Sequence, residues 1–289
     1  VVVFPSLTAR SFCSCLWRGK IISPALNAQG AKIVARSAMS DFLVKNFWPE
    51  LAVVLVEPKL DLNVGAVARA MKNFNLGRLF LVAPSCDPLS DKSRALSCGA
   101  DDILEAARVF NNLEEALAGF KLVVGTTARL GKYCRPVFTP AQTAGKIAEL
   151  GTRVPVAIMF GREDFGLGRE QRRHSHMLSS IPVNPEFSSL NLAQSVLLYG
   201  YELSRLEAQP GRSESAVAAL AAHTELQGMY AHLRRTLSAA GFLDRSNPDH
   251  LLEYLRRLFG RAAMTSREVR IIRGLMSLID NLLRRGAGL

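Results

Sequence analysis

The chain has 289 residues, a mass of 31.6 kDa, 48% hydrophobic and 21% charged residues, enough apolar material for one large domain or for a medium and a small one. That balance excludes disorder as the main state. No apolar run reaches the roughly 18 residues of a bilayer-spanning helix. A net charge of +11 and a pI near 9.8 favour a polyanionic partner such as nucleic acid.

In chain order, Leu51 to Val56 is a short continuous apolar run before Pro58, the pattern of a strand buried on both faces. Asn63 to Phe74 has helical spacing, with Val64, Val67, Ala68, Met71 and Phe74 as the apolar stripe and Asn63 placed as a cap. Residues 79–82 form the next strand, 95–110 a helix broken near Gly99, and 113–118 a short helix. A third strand is expected at 121–125, a helix at 140–150 and a fourth strand at 155–160. Residues 169–177 then read as helix, 178–182 as a fifth strand and about 190–206 as a long helix. This alternation predicts an α/β fold with a mostly parallel, Rossmann-like sheet. Only helices are expected beyond it: one at 216–240, one opened by Asn247-Pro248, and a last one opened by the capping box Thr265-Ser-Arg-Glu268. The expected division is an N-terminal extension (1–45), an α/β domain (46–206), a linker (207–215) and a small helical domain (216–289).

The positive charge sits at the ends. Residues 1–40 carry five basic residues and no acid; 41–204 are near neutral at +1; from Arg205 onward, 13 Arg, no Lys and 8 acids leave +5. These ends read either as elements that hold a polyanion or as ordinary solvated surface. In composition the first 40 residues fit an organellar transit peptide. Met39-Ser40-Asp41 makes a natural start, so upstream sequence is the plainer reading, and the expected location is the cytoplasm, or an organelle if the leader is genuine. Cys13, Cys15, Cys86, Cys98 and Cys134 are odd in number and lack a C-x-x-C pattern, so they read as reduced thiols. His174-Ser175-His176 has no ligand partner at zinc spacing, and no metal is expected.

Open α/β sheets bind ligands beyond the carboxyl ends of their strands. That rule singles out residues 57–65, which lead into the helix carrying Arg69, then Gly125 to Arg129, Gly161 to Leu167, and the polar stretch 182–191. None has the glycine pattern that cradles the phosphates of a dinucleotide or an NTP, so a ligand without phosphates fits better. Asp101-Asp102 and Glu114-Glu115 read as ordinary helix charges.

Three elements carry a resemblance. Asn63-x-Gly65-x-x-x-Arg69, Phe160-Gly-Arg-Glu-Asp-Phe-Gly-Leu167 and Pro185-Glu-Phe-Ser-Ser-Leu-Asn-Leu-Ala193 resemble, in order and spacing, the three motifs of SPOUT-class RNA methyltransferases. Within that class they are similar to the TrmH-type 2′-O-ribose methyltransferases, most closely the TrmJ branch. The resemblance runs from about residue 50 to 285. It implies a Rossmann-like sheet whose C-terminal part forms a deep trefoil knot, and S-adenosylmethionine as methyl donor. The cofactor contacts it implies are Thr126, Thr127, Ala128, Gly161, Ile181, Ser188, Ser189 and Leu190.

The reaction it implies is attack of a ribose 2′-hydroxyl on the donor methyl group. Arg69 is then the residue that orients the ribose and an adjacent phosphate and stabilises the developing alkoxide, because a guanidinium is always charged and is no base at its ordinary pKa. Asn63 and Asn191 would fix the loop and the target ribose. Glu163 would hold Arg69 or a loop amide, with a simple turn pair to Arg162 as the plainer alternative, and Ser189 would donate near the reacting oxygen. The implied acceptor is tRNA, at the pyrimidine 32 of the anticodon loop, with phosphates held by Arg69, Arg129, Arg256, Arg257, Arg261, Arg267, Arg270 and Arg273. A homodimer is implied through the knotted region, with the apolar helix from Leu190 as its face. The alternatives are another tRNA site or ribosomal RNA as acceptor, and a catalytically silent RNA-binding protein on the same fold. A nicotinamide-dependent reductase lacks its glycine loop here.

Overall fold

The computed structural model describes residues 48–128, 137–206, 219–244 and 246–286, with the side chains of Arg257 and Arg261 not described. The expectations for 1–45, Arg129 and the linker 207–215 lie outside these residues, and helix 216–240 does so in part.

The described chain runs β1 (Leu51–Val56), α1 (Asp61–Asn73), β2 (Arg78–Val82), α2 (Asp91–Ser97), α3 (Asp101–Glu105), β3 (Arg108–Phe110), α4 (Leu113–Leu117) and β4 (Leu122–Thr126). It continues through β5 (Val137–Phe138), α5 (Pro140–Leu150), β6 (Val156–Phe160), α6 (Arg169–Arg173), β7 (Met177–Ser179) and a 3₁₀ turn (Pro185–Phe187) to α7 (Leu192–Ser204). Three helices follow: α8 (His223–Ala239), α9 (Pro248–Arg261) and α10 (Ser266–Gly286).

The strands form one sheet in the order β3-β2-β1-β6-β4-β7-β5, and every pairing is parallel. Successive side chains of a strand face opposite ways, and both faces of this sheet are covered. Leu51, Val53 and Leu55 of β1 join Leu79 and Leu81 of β2 and Ile158 of β6 in a core beneath α1, α5 and α7. Ala52, Val54 and Val56 join Phe80, Val82 and Met159 in a second core with Leu113 and Leu117 of α4. That double burial is why the central strands read as unbroken apolar runs.

Four expectations are corrected. The broken helix at 95–110 is two short helices followed by the strand β3; Cys98 and Gly99 take positive φ (48° and 90°) and separate the helices. The helix at 169–177 stops at Arg173, and Met177 to Ser179 are already strand. β5 was not foreseen. Finally, α1 starts at Asp61 with Leu60 in the capping position, so Asn63 lies inside its first turn and is no N-cap.

The helices from His223 onward have their own apolar cluster, including Met229, Leu233, Leu252, Met264 and Val269. The capping box before α10 is formed: Thr265 N donates to Glu268 Oε2 at 2.7 Å and Glu268 N to Thr265 Oγ1 at 3.3 Å. This bundle is tied to the sheet by the Arg173 guanidinium, which pairs with Asp249 at 3.0 Å and Glu253 at 2.8 Å, and by Lys121 Nζ, which donates to Leu220 O at 2.6 Å. No helix among the described residues is long and apolar enough to cross a membrane.

Candidate active site

The sheet changes direction between β1 and β6: the chain lays β2 and β3 to one side of that pair and β4, β7 and β5 to the other. A crevice at such a point is where ligands of open α/β sheets bind. Beyond the carboxyl ends of β4, β6 and β7 lies a cavity of about 390 Å³, within the range of about 300–1,000 Å³ usual for small-molecule sites. Its walls include Thr126, Thr127 and Ala128 after β4, the loop Gly161–Gly168 after β6, Ile181 after β7, and Ser188, Ser189 and Leu190 before α7. All eight residues expected at a cofactor are therefore brought to one cavity.

Hydrogen bonds across the strand ends hold those walls. Thr126 Oγ1 donates to Met159 O at 2.8 Å, and Thr127 N to Ser179 O at 2.9 Å. The buried Ser179 hydroxyl donates to Phe138 O at 3.0 Å and accepts from Thr143 Oγ1 at 2.7 Å and Tyr199 OH at 2.6 Å, using its full capacity of one donor and two lone pairs. Burial keeps the Tyr199 phenol protonated, well above its ordinary pKa. The β6 loop is drawn tight, with Gly166 N donating to Arg162 O at 2.8 Å. A Cβ on Gly161 would overlap the Gly166 and Leu167 backbone, so that position needs glycine.

A chain of polar groups joins this loop to the start of α1. The Glu163 carboxylate accepts from Lys59 N at 3.1 Å, Leu60 N at 3.2 Å and Asn63 Nδ2 at 3.1 Å. Asn63 Oδ1 in turn accepts from Asn191 Nδ2 at 3.0 Å, and Asn191 Oδ1 caps α7 by accepting from Ala193 N at 2.9 Å. Asn191 is thus both a cap and a link, and Glu163 fixes the two backbone amides just before α1. The neighbouring Asp164 is held far below the usual carboxylate range by the Arg162 and Lys59 charges beside it. Sequence reading missed this latch of Lys59, Arg162 and Asp164. Alternating charges within the motif were its only signal.

Arg69 stands apart. It lies six residues beyond Asn63, about 9 Å along the helix axis, it is exposed, and its guanidinium donates to Cys98 Sγ at 3.3 Å. Glu163 holds loop amides and not Arg69, and Arg162 pairs with Asp164 and Glu57 rather than with Glu163. Ser189 is exposed on the cavity wall and makes no hydrogen bond with another described residue. Gly65 has a packing role, since a Cβ there would overlap the Ser93 carbonyl of α2. Burial, with Asp61 and Glu163 nearby, pushes the Cys86 thiol up to about 11, which disfavours its thiolate.

The arginines expected on RNA divide. Arg267, Arg270 and Arg273 are exposed on α10. Arg256 is turned inward: its guanidinium lies 4.3 Å from the Tyr230 ring centroid and donates to Arg173 O and Gln227 Oε1. In this chain it ties the bundle to the sheet.

The cavity fits the donor that the motifs imply. Short hydroxyls and loop backbone suit a nucleoside, Ile181, Leu190 and Leu192 suit a thioether, and the Glu163 carboxylate at its wall, held by neutral donors, suits a sulfonium cation.

A family model described as the SpoU rRNA Methylase family matches residues 50–201, and one described as tRNA methyltransferase TrmJ, C-terminal domain, matches 224–288. A tRNA (cytidine/uridine-2′-O-)-methyltransferase TrmJ of Yersinia pestis (strain Pestoides F) is 39% identical over 246 residues, 82% of this chain and 95% of the relative. A tRNA (cytidine/uridine/adenosine-2′-O-)-methyltransferase TrmJ of Pseudomonas aeruginosa (strain UCBPP-PA14) is 41% identical over 245 residues, 81% and 95% of the two chains. Among solved structures, TrmJ from Z. mobilis ZM4 is similar with a TM-score of 0.69 and 36% identity, over 79% of this chain and 98% of that one. With both family models matched in sequence order and these relatives covered nearly end to end, the chain belongs to the SpoU methylase family, in its TrmJ branch of tRNA 2′-O-methyltransferases.

Proposed function

We propose that this chain transfers a methyl group from S-adenosylmethionine to the ribose 2′-hydroxyl of a tRNA nucleotide, the pyrimidine at position 32 of the anticodon loop, and works as a homodimer. The observation that carries the reading is the polar chain Glu163–Asn63–Asn191, which ties the cavity wall to the start of the helix that carries Arg69.

When bound, the cofactor supplies an electrophilic methyl group on a sulfonium. Thr126, Thr127 and Ala128 would hold its nucleoside with Gly161, Ile181, Ser188, Ser189 and Leu190, the last five from the segment that forms the knot in the family fold. With the cofactor so held, the 2′-oxygen of the RNA would take the methyl carbon as the carbon–sulfur bond opens, and the hydroxyl proton would pass to solvent or to an RNA phosphate. Arg69 remains a cation throughout and orients the ribose and its phosphate, so its contribution is electrostatic and geometric. Asn63 and Asn191 keep the loop and the ribose in register, and Ser189 offers a donor at the wall. Exposed Leu197, Leu198 and Tyr201 on α7 support a second copy packing there. The exposed arginines of α10 support phosphate contacts and a binding constant that falls steeply with salt.

The test is transfer of labelled methyl to total tRNA, with the modified nucleoside identified and Arg69→Ala alongside. The expected product is a 2′-O-methylated pyrimidine in the anticodon loop, lowered about a hundredfold or more in the variant. Label on ribosomal RNA alone would replace the acceptor, and tight tRNA binding with no transfer would replace the enzyme by a silent RNA-binding protein.

A further inference from the structure

Phe187 is 77% exposed, yet its backbone is fixed. Its 3₁₀ turn starts at Pro185, the Asn184 side chain accepts from Glu186 N at 3.0 Å, and Phe187 N donates to Asn184 O at 3.0 Å. The next three residues, Ser188 to Leu190, line the cavity. Phe187 thus sits on a fixed backbone directly before the cavity wall, with its ring turned to solvent. A second aromatic ring, Phe165, lines the same cavity and is 55% exposed.

The charges around this opening are unevenly treated. Arg162 is neutralised by Asp164 and Glu57, and Arg173 by Glu170, Asp249 and Glu253. Arg169 and Arg172 line the cavity between them; Arg169 lies near enough to Asp249 to help lower its pKa, and no hydrogen bond or close ion pair holds either guanidinium to a described residue. The exposed Phe187 ring next to the cavity wall, with guanidiniums on that wall that no close ion pair holds, matches an unstacked RNA nucleotide, whose base offers a π-face and whose phosphates offer charge.

We propose that Phe187 is the stacking platform for the base of the acceptor nucleotide, with Arg169 and Arg172 holding its flanking phosphates. The proposal rests on the reading of this cavity as an RNA methyltransferase site, and it assigns how the acceptor is presented there. A ribose inside a stacked loop presents its 2′-hydroxyl to the cavity only after its base leaves the stack, and the Phe187 ring returns part of that lost stacking. A phenyl face carries no hydrogen-bond code, so this platform accepts cytidine and uridine alike.

The test compares Phe187→Ala, Phe187→Tyr and the double variant Arg169→Ala/Arg172→Ala with the parent chain. The readouts are single-turnover methyl transfer to tRNA, calorimetric titration with S-adenosylmethionine, and tRNA affinity across a salt series. Phe187→Ala is expected to slow transfer about tenfold to a hundredfold with cofactor affinity unchanged, and Phe187→Tyr to restore most of the rate. The double arginine variant is expected to weaken tRNA binding and to lower the slope of log affinity against log salt by about 2. Transfer at the parent rate in Phe187→Ala overturns the platform. So does a loss of activity that accompanies conversion of a dimer to a monomer in light scattering, which would make the ring part of an interface between copies. A parent chain that methylates no RNA removes the acceptor reading and this proposal with it, whereas undiminished transfer in Phe187→Ala removes the proposal alone.

Discussion

Around the cavity, the ends of β4, β6 and β7 are locked by groups of this one chain: Thr126 on Met159, Thr127 on Ser179, and Ser179 on Phe138, Thr143 and Tyr199. The residues assigned to the acceptor are arranged differently. Among the described residues Arg69 is exposed and hydrogen-bonded to a thiol, Ser189 and Phe187 face solvent, and no hydrogen bond or close ion pair holds Arg169 or Arg172, although Arg169 lies near Asp249. The difference has a physical reason. A small cofactor supplies little binding area, so its pocket must be preorganised. A polyanion brings its own charge and stacking surface, and side chains left open for it would lose by pairing internally.

The sharpest way to break this contrast is Gly161→Val. The new side chain overlaps the Gly166 and Leu167 backbone, so the β6 loop must open. Cofactor affinity by calorimetry is expected to fall about a hundredfold or more, while tRNA affinity by filter binding stays near that of the parent. Equal losses in both would show that the two sides are not separable.

Glu163→Ala tests the joint between them and has the next largest effect. Lys59 N, Leu60 N and Asn63 Nδ2 all lose their acceptor, which frees the start of α1 from the cavity wall. The stability cost expected is about 1–3 kcal/mol, read as a lower melting temperature, with methyl transfer down about tenfold to a hundredfold. Glu163→Gln keeps one acceptor oxygen and is expected to lie between. A full rate in Glu163→Ala would mean that Arg69 needs no such tether.

The loops around the cavity were legible in the sequence because strand ends are legible, whereas their assignment to a cofactor came from the motif resemblance. β1, β2, β4 and β6 are short apolar runs, and the loops after β4 and β6 follow directly from them. β3 and β5 were not legible. With three and two residues at the sheet's edges, and Arg108 and Val109 exposed, they carry no period to read. Asn63 was misplaced for another reason. A hydrophilic residue before an apolar stripe reads as a cap, yet the helix starts two residues earlier without a side-chain cap, and the amides leading into it are held by Glu163, about 100 residues away. The partners of Arg69 and the inward turn of Arg256 were hidden in the same way, since a charge pattern does not say which face of a helix packs.

The smallest effect expected leaves both sides of the site alone and appears as a dependence of stability on pH. His223, at the start of α8, is buried among His174, His176 and Arg256 where the helical bundle meets the sheet. Burial first, then those neighbouring charges, push its pKa down to about 3, and burial also lowers that of His174 although Glu114 lies 3.5 Å away. In the unfolded chain a histidine titrates near 6.5. Above that pH both states are neutral and His223 makes no difference. Below it the unfolded state binds a proton that the folded state refuses, so stability declines as pH falls from about 6.5 toward 3, by up to about 1.4 kcal/mol per pH unit. Carboxylates such as Asp249, whose pKa is lowered beside Arg173, act in the same direction only nearer pH 4. The window from pH 6.5 to 5 therefore isolates the imidazoles. Melting temperature is expected to drop across that window in the parent chain and to drop less in His223→Gln, and an equal slope in both would move the origin of the effect away from this joint.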